Sequence, residues 1–229
     1  MRWSGLLADT WRINPSQRAG LFLMIAIVDC ESSDTRGIQR AFERIGTKTA
    51  VVNSIDRLER ASKIVIPPSA SFPRMIRSLR DGGLVGPLLS AASGGRPVLA
   101  ISRGMHLLFD VCYEEGQHTG LGLVHGKVIR FEFGEHPAAR HFSLPHQGWN
   151  QVHWTNDCPL TAGLESGEYF YFHHSFHAEP LEHTDTGAQC NHGVDFSALI
   201  WKDRIFGTQF LPEKSEDAGL KLLANFAAL

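Results

Sequence analysis

Ala100-Ile101-Ser102-Arg103-Gly104 is one methyl group away from the G-x-S-x-G elbow on which hydrolases present a nucleophile. The apolar run Val98 to Ile101 leads into it, and a segment bearing Met105, Leu107, Leu108 and Phe109 follows at once, which reads as strand, sharp turn and helix. A side chain on such a turn is pushed out of the end of a buried parallel strand onto a helix N-terminus, where orphan N–H groups favour developing negative charge. Ser102 could be a nucleophile there, or only a small polar N-cap. A serine hydroxyl is protonated near neutral pH, so nucleophilic chemistry also requires a base. Histidines His106 and His174 are the nearest candidates by type. The run His173-His174-Ser175-Phe176-His177 does not read as a metal site, because alternate strand residues face opposite ways and no carboxylate or cysteine is suitably spaced.

The elements around the elbow imply an α/β chain. Strands are expected over Met24 to Val28, Thr47 to Val52 and Lys63 to Ile66, with helices over Thr35 to Ile45 and Asp56 to Ala61. Ile38, Ala41, Phe42 and Ile45 recur at helical spacing. Such alternation predicts a mostly parallel sheet flanked by helices, whose C-terminal loops line a ligand crevice. Pro67 to Phe72 is one of those loops. Helices through Met75, Ile76 and Leu79 and over Leu84 to Ala92 precede the elbow strand. After Cys112 come strand-like segments without intervening helices, Leu121 to Phe133, Asn150 to Trp154, Tyr169 to His173, Ser197 to Trp201 and Ile205 to Phe210, which predict a smaller antiparallel sheet. A last helix over Glu216 to Phe226 offers Leu220, Leu223 and Phe226 to the core.

The 229 residues can bury one sizeable core. With 43% hydrophobic and 20% charged residues and a net charge of −2, neither disorder nor an electrostatic grip on nucleic acid is indicated. The four scattered cysteines fit reduced, buried thiols, as in the cytoplasm, better than a disulfide frame or zinc site. Ala19 to Val28 is too short to span a bilayer, and Asp29-Cys30-Glu31 offers no signal-peptide cleavage site. Residues 1–23 are expected to be a loosely attached extension, or a misassigned translation start, ahead of a single domain over 24–229.

Several stretches then resemble, in order, the class I glutamine amidotransferases, and among them the glutaminase subunit of imidazole glycerol phosphate synthase. They are Met24 to Asp29, the Pro67 to Phe72 loop, the elbow with Gly104-Met105, Gly120-Leu121-Gly122-Leu123, Gly126-Lys127-Val128, Pro145-His146-Gln147-Gly148-Trp149-Asn150, His174-Ser175, and Gly207 to Ser215. The resemblance implies a flavodoxin-like fold, no cofactor, and a heterodimer with a (β/α)8-barrel cyclase subunit that receives ammonia. In the family a thiolate at the elbow attacks the glutamine amide, a histidine relays protons, a carboxylate orients it, and backbone N–H groups bind the oxyanion.

Measured against that pattern, the chemistry is altered. Ser102 stands at the nucleophile position, and Leu211 replaces the histidine of the family's His-Pro-Glu motif, leaving Glu213 with nothing to orient. In the oxyanion loop, beside Arg103, Pro68 replaces glycine and Ser69-Ala70 replace Val-Gly. His106 replaces a substrate-holding glutamine, whereas His174 and Ser175 keep their places in the substrate-binding set. Pro145, Trp149, Asn150 and Lys214 stand where the family meets the cyclase, and Trp149, Asn150 and Lys214 are expected on one face around the mouth of the site. Two readings result: a glutaminase-impaired subunit that binds and supports a barrel cyclase, or an active Ser102 hydrolase or glutaminase with His106 or His174 as base.

Overall fold

The computed structural model describes residues 24–31, 33–134 and 142–229, so the extension expected over 1–23 lies outside the described residues. In the first half β1 (Ile25–Val28), α1 (Thr35–Arg44), β2 (Thr49–Val52), α2 (Ile55–Glu59), β3 (Lys63–Ile66), α3 (Phe72–Asp81), α4 (Val85–Ser93) and β4 (Val98–Ile101) alternate as the hydrophobic pattern requires. The four strands pair in parallel in the order β2-β1-β3-β4. Strands covered on both faces need continuous apolar sequence, and β1 and β4 are buried at every position. Successive residues of β1 feed two different cores. Ala26 and Val28 join Met75, Ile76 and Leu79 of α3, while Ile25 and Ile27 join Ile38, Ala41 and Phe42 of α1.

The second half extends this same sheet. β13 (Ile205–Thr208) lies parallel to β4, and β12 (Asp195–Lys202), β11 (Thr186–Asn191), β8 (His146–Trp154) and β9 (Glu168–His174) follow in antiparallel pairings, which makes nine strands among the described residues. A smaller sheet runs in the order β10 (Phe176–Pro180), β7 (Val124–Arg130), β5 (Phe109–Cys112) and β6 (His118–Thr119). It is mixed rather than wholly antiparallel, because β5 and β7 pair in parallel.

The helix expected after the elbow is one turn long, α5 (Arg103–His106). The Leu107 carbonyl accepts from Leu121 N–H at 2.7 Å, and the Leu108 carbonyl accepts from Leu123 and Val124 N–H at 2.8 and 2.9 Å, so neither remains for a further helical turn. The chain therefore leaves the elbow directly into β5. The final helix, α6 (Glu216–Ala228), buries Leu222, Leu223 and Phe226, while Leu220 is only partly buried. Among the described residues no helix is long and apolar enough to cross a membrane.

Candidate functional site

Ser102 follows β4 with φ 53° and ψ −117°, a region that a Cβ atom disfavours and that typically costs about 1–3 kcal/mol. Its N–H donates to the Thr208 carbonyl at 2.6 Å, which pins the turn to the end of β13. The residue is buried, and although it occupies the N-cap position of α5 its hydroxyl makes no capping hydrogen bond. The simple N-cap reading is therefore corrected: the strained elbow is kept without the bond that would make the serine a cap. Gly104 permits the turn to sit on β3, since a Cβ there would lie 2.5 Å from the Ile66 carbonyl oxygen and 2.8 Å from that of Pro67. Both obstacles are backbone. Gly104→Ala is expected to destabilise the fold by about 2 kcal/mol through overpacking, read as a lowered midpoint in thermal or denaturant unfolding; an unchanged midpoint would refute the packing argument.

The loop facing the elbow is held in place by its carbonyls. The Pro68 carbonyl accepts from Asp34 N–H at 3.0 Å, and that of Ser69 accepts from Arg103 Nη1 at 3.0 Å. Ser69 Oγ also donates to the Glu31 carbonyl at 3.2 Å. Arg103 in turn directs Nε at both oxygens of the buried Glu114 carboxylate, each at 2.9 Å. A peptide flip at Pro68–Ser69 or Ser69–Ala70 would break one of these bonds. Ala70 itself is exposed and Pro68 half-buried.

Beyond β13 the chain reaches Leu211, which is buried in the α1-side core. Its N–H donates to the Tyr171 carbonyl at 2.9 Å, and its carbonyl accepts from Ser215 Oγ at 2.7 Å. The backbone is thus firmly set while the side chain supplies no polar atom. Glu213 lies in the 3-10 turn Pro212–Lys214, with both carboxylate oxygens buried and without a hydrogen-bond partner. Burial pushes its pKa from 4.5 up to about 7; its own backbone amide and Lys214 oppose the rise, and the negative Asp34 adds to it.

His106 is fully buried and pairs Nε2 with Gln209 Oε1 at 3.0 Å, leaving its Nδ1 and Gln209 Nε2 unpartnered. Burial pushes its pKa down to about 4, against the favourable Gln209 bond. One ligand-type atom each of His106, Cys112 and Glu114 lies within 4.8 Å of the others, a convergence the sequence reading missed. Glu114 is already neutralised by Arg103, and burial pushes the Cys112 thiol up to about 12, so the group reads as a buried ion pair with neutral neighbours rather than a metal centre. His174 is buried too. Its Nδ1 lies 2.8 Å from the Phe176 carbonyl and its Nε2 lies 3.0 Å from His146 Nδ1, while burial holds its pKa well below the ordinary value. Ser175, in the bend between β9 and β10, accepts from Phe131 N–H through its carbonyl at 3.2 Å. Both ring nitrogens of His174 are thus engaged, whereas the unpartnered Nδ1 of His106 belongs to a ring whose pKa burial holds near 4.

On the outer side, Trp149 is 47% exposed and meets Tyr171 edge-on at 6.0 Å. It opens onto a cleft of about 360 Å³ that Tyr169, Ser215 and Asp217 also line. Pro145 and Lys214 are exposed, and Lys214 adjoins Ser215 in that cleft. Asn150 does not share this face. Trp149 and Asn150 are consecutive on β8, where even-numbered residues turn inward and odd-numbered residues outward, so the expectation of one common face is corrected. Asn150 instead places Nδ2 at 2.9 Å from the Asn191 carbonyl and 3.2 Å from His146 Nε2. Glu114, Gln209 and Asn191 were not singled out from the sequence; Gln209 alone had a signal, within the Gly207 to Ser215 stretch.

Residues 26–228 match the family model for class-I glutamine amidotransferases. The chain is 39% identical over 203 residues to the imidazole glycerol phosphate synthase subunit HisH of Geobacter metallireducens, covering 89% of this chain and 97% of that protein. It is 36% identical over 203 residues to the HisH subunit of Syntrophotalea carbinolica, covering 89% and 98%. Among solved structures, a glutamine amidotransferase superposes with TM-score 0.70 at 16% identity over 90% of this chain and 99% of that one. PurLQS from Thermotoga maritima superposes with TM-score 0.69 at 19% identity over 89% and 96%, a likeness that speaks to fold alone.

Proposed function

The chain belongs to the class I glutamine amidotransferase family, and from that premise we propose that it is a glutaminase-impaired counterpart of the HisH subunit of imidazole glycerol phosphate synthase, which docks onto a (β/α)8-barrel cyclase subunit and supports or regulates it as a heterodimer. The observation that carries the reading is Glu213. A carboxylate that would orient a histidine stands buried with both oxygens unpartnered, two residues after Leu211 in the sequence. Ser102 keeps the elbow, but without an oriented base its hydroxyl stays protonated, and the pinned carbonyls of Pro68 and Ser69 oppose any rearrangement of the loop that would bind an oxyanion. The docking side departs less from the family pattern: Trp149 is an exposed aromatic of the type that anchors interfaces, and Lys214 and Pro145 are exposed as well.

The competing reading, an active Ser102 hydrolase, has one observation in its favour, the unpartnered Nδ1 of His106. A base whose conjugate acid is held near pKa 4 is weak, however, and both ring nitrogens of His174 are engaged. Titration of a barrel cyclase from the same organism separates the two. Wild type and Ser102→Ala are expected to bind alike at micromolar concentration or tighter, Trp149→Ala about 30-fold more weakly, and Lys214→Ala less affected. Absence of wild-type binding in the micromolar range, or an unweakened Trp149→Ala, overturns the docking reading.

A further inference from the structure

We propose that Asn150, His146 and His174 form a directed hydrogen-bond chain that positions the Trp149-bearing half of β8 from behind the docking face. The function of that half rests on the docking reading above; the chain itself rests on geometry. The two ends fix its direction. At one end the Phe176 carbonyl can only accept, so the His174 Nδ1 that lies 2.8 Å away carries the proton. At the other, the Asn150 amide is oriented by two backbone groups: its Oδ1 accepts from Gln151 N–H at 2.9 Å, and its Nδ2 donates to the Asn191 carbonyl at 2.9 Å. Nδ2 therefore also donates to His146 Nε2 at 3.2 Å, which makes that nitrogen an acceptor. The proton of His146 is then on Nδ1, where it donates to His174 Nε2 at 3.0 Å. Each neutral ring spends one donor and one acceptor, and every member is satisfied.

This arrangement compensates for a gap in the sheet. β8 pairs with β9 from His146 to Val152, but pairs with β11 only at Trp154 and His153. Among the described residues, the half of β8 that carries Trp149 therefore has no backbone ladder on its β11 side. Asn150 bridges that opening to Asn191, the last residue of β11, by its side chain. His146 is held in turn by stacking on His192, at 4.0 Å and 20°, and on Phe172, at 4.8 Å and 23°. A ring rotation or amide flip at any member places donor against donor or acceptor against acceptor at its neighbour. Asn150, His146 and His174 are positioning residues, and the matching residue types of the Pro145–Asn150 stretch act partly behind the surface rather than on it.

The test uses the full chain with ¹⁵N-labelled histidine and, separately, uniform ¹⁵N labelling. Long-range ¹H–¹⁵N spectra are expected to show both His146 and His174 as neutral Nδ1–H tautomers. His146→Phe keeps a flat ring but loses both polar ends, whereas His146→Gln retains an acceptor for Asn150 and a donor for His174. The phenylalanine variant is expected to lose slow exchange at the Asn150 side-chain amide, to shift or broaden the Trp149 indole N–H signal, and to bind the barrel partner about tenfold more weakly, as loss of one buried hydrogen bond implies. The glutamine variant is expected to restore all three. An Nε2–H tautomer at either histidine, or an unmoved Trp149 indole signal in His146→Phe, overturns the proposal. Failure of wild type to bind the barrel overturns the docking reading instead, while the tautomers and the Trp149 signal still decide for or against the chain.

Discussion

Glutamine hydrolysis by the wild-type chain, alone or with a barrel partner, is expected to equal that of Ser102→Ala, whereas Ser102→Cys combined with Leu211→His is expected to raise it about a thousandfold or more. Loss of a nucleophile or of its base removes on the order of a millionfold in rate, and the two losses do not add because the pair acts as one unit. For the same reason a single reversion regains little. Cysteine at position 102 faces no base, and histidine at 211 must activate a serine hydroxyl, a far weaker acid than a thiol, beside the same pinned loop. The double revertant still meets the pinned Pro68–Ala70 loop, and a missing oxyanion donor costs about 100- to 1000-fold. That sets its gain well below a full restoration. The check is ammonia release from glutamine by the wild type and the four variants Ser102→Ala, Ser102→Cys, Leu211→His and the double revertant, purified identically. A wild-type rate above Ser102→Ala removes the impaired reading, and strong activity from Ser102→Cys alone means that a base already exists, with His106 the first suspect because its Nδ1 is free of partners.

The parallel half of the sheet was legible because its physics is local. Short all-apolar strands such as Val98 to Ile101 and the helical spacing of Ile38, Ala41 and Phe42 have no other economical reading once both sheet faces must be covered. The segment after the elbow was misread because Met105, Leu107, Leu108 and Phe109 are apolar in succession and fit a helix or a buried strand equally. The deciding bonds come from Leu121 to Val124, more than a dozen residues away. A strand expected from Asn150, four residues after β8 starts at His146, hides the alternation that separates Trp149 from Asn150. At the candidate site the substitutions Ser102 and Leu211 were visible as residue types. Their consequences depend on partners distant in sequence, such as Thr208 for the elbow and Asp34 for Glu213, which no local pattern announces.

The buried carboxylate of Glu213 also makes stability depend on pH in a predictable sense. Its folded pKa is raised to about 7 against an ordinary 4.5, so below about pH 4.5 the folded and unfolded states are both protonated and the group contributes no pH dependence. Between those values the unfolded chain gives up the proton while the folded chain keeps it, and stability falls as pH rises. Above about pH 7 both states are ionised and the loss is complete, about 3 kcal/mol at roughly 1.4 kcal/mol per pH unit. Glu213→Gln is therefore expected to gain on wild type by about 3 kcal/mol between pH 4.5 and pH 8, measured as the change in their difference in denaturant midpoint. A fixed cost of burying the amide moves both ends equally and leaves that change intact. Leu211→His supplies a donor to the ionised form, which lowers the Glu213 pKa and shrinks the change. If the wild-type and Glu213→Gln curves run parallel from pH 4.5 to 8, Glu213 is solvated or paired in solution, and the argument that Leu211 has orphaned it fails.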